Sequence, residues 1–316
     1  MTTKIEKICD LPGVGPAAEE KLIAGGFASL EAIAVASPGE LSTTAGFGES
    51  TARKIIQAAR EAMNIGFESA KESLAKRAKM IKITTGSKAI DDLLGGGIES
   101  QSITEVYGRF GSGKTQWCFQ LCVTAQLPKE KGGLGGKVIY IDSENSFRPE
   151  RVVNIAKRYG MDPDKVLQNI MVGRAYNADH QMLLADKAKE KVEEDPTIKL
   201  LIVDSLTAHF RAEFTGRGQL ADRQQKLNRH MYMLIKLAES KNLAVLVTNQ
   251  VMDRPDVLFG DPTVPIGGNI VAHASKTRLY LRKGKGETHV AKLVDSPYLP
   301  DGEAIYKVTA EGIIDE

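Results

Sequence analysis

One stretch constrains the fold more than any other. Gly108-Arg109-Phe110-Gly111-Ser112-Gly113-Lys114-Thr115 fits the pattern G-x-x-x-x-G-K-[ST] without a gap. An apolar, strand-like run, Ile103-Thr104-Glu105-Val106-Tyr107, precedes it, and the helix-like Gln116-Trp117-Cys118-Phe119-Gln120-Leu121-Cys122 follows. Small residues at 108, 111 and 113 let backbone N–H groups turn inward around phosphate oxygens at the positive end of a helix. Lys114 can then reach the β- and γ-phosphates, and the Thr115 hydroxyl is placed to ligate Mg²⁺. A chance glycine-rich turn is the competing explanation, and the flanking strand and helix count against it. The motif predicts binding of a nucleoside triphosphate.

With 316 residues, of which 42% are hydrophobic, the chain has material for about two domains and one sizeable core. No apolar run approaches the ~20 residues that span a bilayer, and the first six residues lack a signal peptide's apolar stretch. The expectation is a cytoplasmic protein with no membrane partner. Cys9, Cys118 and Cys122 cannot all pair and have no metal-ligand spacing, so reduced thiols and no zinc are expected. Cys118 and Cys122, one helical turn apart, suit buried packing. The net charge of +2 is too small to announce a nucleic-acid binder by itself.

Residues 1–60 carry two similar half-patterns. Leu11-Pro12-Gly13-Val14-Gly15 precedes the helical stretch Pro16 to Ala24, and Ala45-Gly46-Phe47-Gly48 precedes Glu49 to Ala62. This is a helix-hairpin-helix pattern, in which glycines let backbone amides approach a DNA phosphate at a helix N-terminus. The glycines would equally serve tight turns in a small helical domain, and six basic residues against seven acidic ones argue against a strong electrostatic grip. Residues 61–80 form a charged, alanine-rich connector in which Gly66 breaks a helix. Taken alone, Phe67 there is a linker residue folded back on its own domain.

From Ile81 to the end at 316 the pattern turns α/β. Val138 to Ile141, Leu200 to Val203 and Leu243 to Thr248 are buried parallel strands in prospect. Helices alternate with them at Arg148 to Tyr159, Ala178 to Glu194 and Ala221 to Lys241. Later runs at Thr277 to Leu281, Val290 to Val294 and Ala304 to Val308 predict added antiparallel strands at one edge.

Leu200-Leu201-Ile202-Val203-Asp204 ends four apolar residues in an aspartate, which places a carboxylate near Mg²⁺ at a strand's C-terminal end. Ile141-Asp142-Ser143-Glu144 ends another strand in acids. Glu144 there is either the base that deprotonates an attacking water or a charge at a helix N-terminus. Thr248-Asn249-Gln250 ends a third strand with two amides suited to sensing a γ-phosphate. The stretch from Val251 to Gly268 is a long loop, and long loops in compact domains are usually functional or disordered; Phe214 to Gln219 is a second candidate. Around them gather Arg211, Arg217, Arg223, Lys226 and Arg229, and then Lys276, Arg278, Arg282, Lys283 and Lys285. These runs form either a solvated face or a groove that tracks a nucleic-acid backbone.

The chain resembles the archaeal RadA recombinases, of the RecA superfamily of DNA strand-exchange ATPases. Beyond the segments already quoted, the resemblance rests on Thr84 to Lys88, Leu94 to Glu99, Phe147 to Arg151, Leu201 to Thr207, Val247 to Val251 and Leu281 to Gly286. It implies an α/β, RecA-like P-loop ATPase core (81–316) with a mostly parallel central sheet, and a small N-terminal helix-hairpin-helix domain (1–60). It also implies a homo-oligomer, filament or ring, with ATP between protomers, pairing single-stranded with double-stranded DNA beside the nucleoid, with recombination mediators as further partners.

By the same resemblance Glu144 is the catalytic base, acting with Lys114 and Gln250. Gly108 to Gln116 cradle ATP, Arg151 stacks on adenine, and Gln250 and His273 respond to the γ-phosphate. Thr115 and Asp204 hold Mg²⁺. Asp295 to Asp301, with Pro300, form a cap over the neighbour's ATP, where Asp295 helps hold K⁺. The DNA loops are Glu213–Asp222 and Met252–His273, with Arg211, Arg217, Arg223, Gly267 and Gly268 as DNA contacts. Phe67-Glu68-Ser69-Ala70 matches the F-x-x-A polymerisation motif, in which the Phe enters an apolar pocket of the next protomer.

Two positions depart from the pattern. Arg109 stands where relatives usually carry an acidic or small residue, and Asn269 where they commonly carry His. A mediator that binds ATP and DNA without exchanging strands is the main alternative, and a ring-shaped helicase or a kinase the second.

Overall fold

The computed structural model describes residues 5, 7–63, 67–214, 216–253 and 262–316; Gly66 and the side chain of Arg217 lie outside this set. Cα packing separates the chain into two compact units, Met1–Ala78 and Lys79–Glu316.

The first unit holds α1 (Pro16–Ala24), α2 (Leu30–Val35), α3 (Pro38–Ala45), α4 (Glu49–Ala62) and α5 (Ala70–Arg77). Ser37 caps α3 reciprocally with Glu40, and Gly46, at φ +70°, ends it in the left-handed conformation that only glycine adopts cheaply. Four helices close on a small core that includes Leu11, Leu22, Ile33, Leu41, Ile55 and Ile56. Gly15 and Gly48 sit at the exposed N-caps of α1 and α4. Beyond α4, Ser69 and Glu72 form the capping box that starts α5.

The second unit runs β1 (Lys82–Ile83), α6 (Lys88–Leu93), β2 (Ile98–Glu99), β3 (Ser102–Gly108), α7 (Lys114–Thr124), β4 (Lys137–Asp142), α8 (Pro149–Arg158), α9 (Pro163–Gln168), β5 (Ile170–Arg174) and α10 (Ala178–Glu194). It continues with β6 (Ile198–Asp204), α11 (Ala208–Glu213), α12 (Leu220–Lys241), β7 (Ala244–Asn249), β8 (Val251–Asp253), β9 (Thr263–Pro265), α13 (Gly268–Ala274), β10 (Thr277–Lys283), β11 (Thr288–Asp295), β12 (Gly302–Thr309) and β13 (Gly312–Asp315). The central nine-stranded sheet has the order β13-β12-β11-β10-β3-β7-β6-β4-β5.

The strands from β10 to β5 are parallel, and β11, β12 and β13 continue antiparallel. One expectation is corrected here. The run from Thr277 pairs parallel with β3, since a connection containing α13 precedes β10; only the strands joined by short connections reverse.

The apolar strand runs reflect burial on both faces. Val138 and Tyr140 point into one core with Trp117 and Phe119, while Ile139 and Ile141 point into the other with Met231 and Leu234. Among the described residues no helix is long and apolar enough to cross a membrane.

Candidate nucleotide site

Parallel register brings the strand ends level. Tyr107 pairs with Asn249, and Asp142 with Asp204, so β3, β7, β6 and β4 deliver the glycine loop, Gln250, Asp204 and Glu144 to one edge. There they line a cleft of about 840 Å³ together with Arg109, Phe110, Gln116, Ser146, Arg151, Val251, His289 and Val308.

The loop is shaped as its glycines predict. Gly111 and Gly113 have φ of +75° and +97°, and a Cβ on Gly108 would lie 2.2 Å from the Leu281 carbonyl oxygen. Ser112 is buried, its Oγ without a hydrogen-bond partner. Lys114 opens α7, and its Nζ donates to the carbonyl oxygens of Gly108 at 2.9 Å and Arg109 at 3.2 Å. Burial lowers the Lys114 pKa, opposed by the charges of Asp204 and Glu144.

Asp204 is buried at the end of β6. Its Oδ2 accepts from the Tyr140 hydroxyl at 2.7 Å and its Oδ1 from Thr248. Burial pushes its carboxyl upward, and hydrogen bonds from Thr248, Tyr140 and Thr115 resist. Thr115 thus lies within electrostatic reach of Asp204. Glu144 is exposed at the cleft, its Oε1 accepting from Gln250 Nε2 at 2.8 Å. Asp142 shapes that turn: it accepts from the backbone N–H of Glu144 at 3.2 Å, Ser146 at 3.0 Å and Phe147 at 3.0 Å. Arg151 is pinned by Gln116 Oε1 at 2.7 Å and by the carbonyls of Thr309 and Ala310.

Arg109 does not point its charge at the loop. Its guanidinium donates to Asp253 Oδ1 at 2.7 Å and Thr263 Oγ1 at 3.1 Å, on the β8–β9 ribbon that opens and closes the long loop. His289 is a lining residue that sequence reasoning missed. Burial, helped by Lys283, lowers its pKa. Nothing in its surroundings on β11 signals the role, because the contact depends on how β11 folds back over the loop.

Other candidates lie elsewhere. His273 lines a second groove of about 360 Å³ with Tyr232, Asn269 and Ile270. Asp295, Pro300 and Asp301 are exposed at and after the end of β11, outside the cleft lining. Arg211 is exposed on α11 and Arg223 half-buried on α12. Gly267 and Gly268, at φ +97° and +58°, lead into α13. Of the candidate DNA loops, residues 215 and 254–261 lie outside the described residues. The basic runs are partly answered within the chain, since Arg278 pairs with Glu105, Arg282 with Glu303 and Lys226 with Asp179. Phe67 is fully exposed, and Ala70 opens α5.

A glycine cradle running into a helix, a buried aspartate on a neighbouring strand end and a mostly parallel sheet define a RecA-like α/β core of the P-loop class. Residues 76–316 match the Rad51 family model, and residues 5–61 match the model of the SAM-like helix-hairpin-helix tandem. The chain belongs to the Rad51 family, whose members are RecA-type, ATP-dependent recombination proteins, and it carries the family's core behind a helix-hairpin-helix region of the DNA-binding kind.

Proposed function

We propose that this protein is a DNA-dependent ATPase of the archaeal RadA type, which assembles on single-stranded DNA and catalyses homologous pairing and strand exchange. The observation that carries the proposal is the 2.8 Å hydrogen bond between Gln250 and Glu144. It joins the candidate base to the residue that opens the long loop, so a change at the γ-phosphate is felt by the loop.

The loop amides and Lys114 bind the triphosphate, and Arg151, held on three sides, presents its guanidinium to the base. Thr115 and Asp204 would hold Mg²⁺, which when bound neutralises charge on the β- and γ-oxygens. Glu144 orients water and takes its proton at a carboxylate oxygen. ATP favours the DNA-binding arrangement, and hydrolysis releases it. Asp295, Pro300 and Asp301 act on a neighbouring protomer's nucleotide, with Asp295 contributing to a K⁺ site, and His273 responds to the γ-phosphate. Arg211, Arg217, Arg223, Gly267 and Gly268 contact DNA.

ATPase activity measured with and without single-stranded DNA, beside strand exchange, tests the proposal. DNA should stimulate hydrolysis, joint molecules should form, and Glu144→Gln should lower turnover by about 10²- to 10⁴-fold while nucleotide still binds. DNA-independent hydrolysis without exchange would favour a mediator that binds ATP and DNA only.

A further inference from the structure

We infer that Asn249 is a positioning residue: one buried amide that fastens the helix leading into the first candidate DNA loop, and a point within the second, to the strand end carrying Gln250, itself held by the pair of buried Glu105 with half-buried Arg278. The inference rests on the proposed recombinase function for its purpose, but its geometry stands apart from that proposal.

Asn249 ends β7 and is fully buried. Its Nδ2 donates to Ile266 O at 2.7 Å and to Glu105 Oε1 at 2.7 Å, and its Oδ1 accepts from Thr207 Oγ1 at 2.6 Å. Both amide hydrogens and the carbonyl are engaged, which also fixes the orientation of the amide. Thr207 immediately precedes α11, the helix that leads into the first candidate loop. Ile266 lies within the second, between β9 and Gly267. Gln250 is the next residue along and bonds Glu144.

Glu105 explains why the amide stays in place. It is fully buried on β3, and a buried carboxylate persists only when paired and hydrogen-bonded. Arg278 Nε, on β10, donates to Oε2 at 2.7 Å, leaving Oε1 for Asn249. The charge is therefore answered from one side and the amide oriented from the other. A displacement of Gln250 passes to Asn249 through the backbone, and from Asn249 to α11 and the second loop through hydrogen bonds too costly to leave unmade. Each arm joins elements distant in sequence, so the device couples β10, β3, β7 and both loops across the sheet.

The test uses the full chain and hydrogen exchange with and without the magnesium complex of a non-hydrolysable ATP analogue. In the unmodified protein, nucleotide should change exchange in both 207–214 and 250–253. Thr207→Val exchanges the hydroxyl for a methyl and removes only the arm to the first loop. Its response in 207–214 should fall at least about fivefold, with that in 250–253 retained and nucleotide affinity within about twofold, whereas Thr207→Ser should restore the response. An unchanged response in Thr207→Val, or no response of 207–214 in the unmodified protein, overturns the inference. Should Thr207→Val fail to fold, Glu105→Gln, which removes the charge at nearly constant shape, should weaken the response of both segments, and an undiminished response there equally overturns it. The readout needs no DNA, so absence of strand exchange would count against the proposed function and leave this test intact.

Discussion

His230 is a side chain whose titration burial sets. It lies on α12, fully buried, its ring stacked on Phe210 at 5.9 Å, with Nε2 3.3 Å from Gln181 Nε2. Burial lowers its pKa from 6.5 to about 4. Between those values the unfolded chain binds a proton that the native chain refuses, so stability falls as pH drops from 6.5 toward 4, by about 3 kcal/mol at most. Urea unfolding across that window should show the unmodified protein losing about that much more stability than His230→Leu. Parallel pH curves would contradict the assignment. Arg109 is a contrasting case. Its pair with Asp253 leaves the two side chains 57% and 53% exposed, so a double-mutant cycle on stability should give less than about 1 kcal/mol, fading as salt rises. A coupling above about 2 kcal/mol would show that solvent screens the pair less than its exposure implies.

The glycines, Lys114, Thr115 and Asp204 were legible in the sequence because each belongs to a contiguous pattern. Glu105 was not, and Asn249 was legible only as one of two amides at a strand end suited to sensing a γ-phosphate, since the partners of both lie on elements that only the fold brings together.

At the scale of elements, α7 is fixed from behind as well as from the cleft. Trp117 Nε1 donates to the Tyr306 hydroxyl at 3.0 Å, with both side chains fully buried, so the helix that begins at Lys114 is anchored to β12. Trp117→Phe removes the donor and leaves a buried hydroxyl without its partner. It should cost about 1–3 kcal/mol by denaturant titration, and a loss below about 0.5 kcal/mol would show that the anchor carries little. The strands buried on both faces were readable as apolar runs with turn residues between helices. β5 escaped because it is short, half-exposed and contains Gly173. The sense of β10 escaped because direction depends on the path of the preceding connection, which strand composition does not encode.

For the whole molecule, the proposed filament requires a surface that one copy offers another. Phe67 is fully exposed, as the proposed polymerisation motif requires of a residue that a second copy is to cover. The nine-stranded sheet ends in β5 and β13. At β13, Asp315 accepts hydrogen bonds from Ser87, Lys88 and Ala89, so this end is tied to α6. At β5, the other end of the sheet, Val172 is 45% exposed, and this is the edge on which the proposed filament would place a short strand from a second copy. Phe67→Glu should therefore leave the fold unchanged within about 0.5 kcal/mol, because nothing buried is disturbed. It should also abolish assembly on single-stranded DNA with ATP, as read by sedimentation velocity. Assemblies of undiminished size would remove Phe67 from the interface; loss of assembly with intact nucleotide binding would separate polymerisation from the chemistry of the cleft.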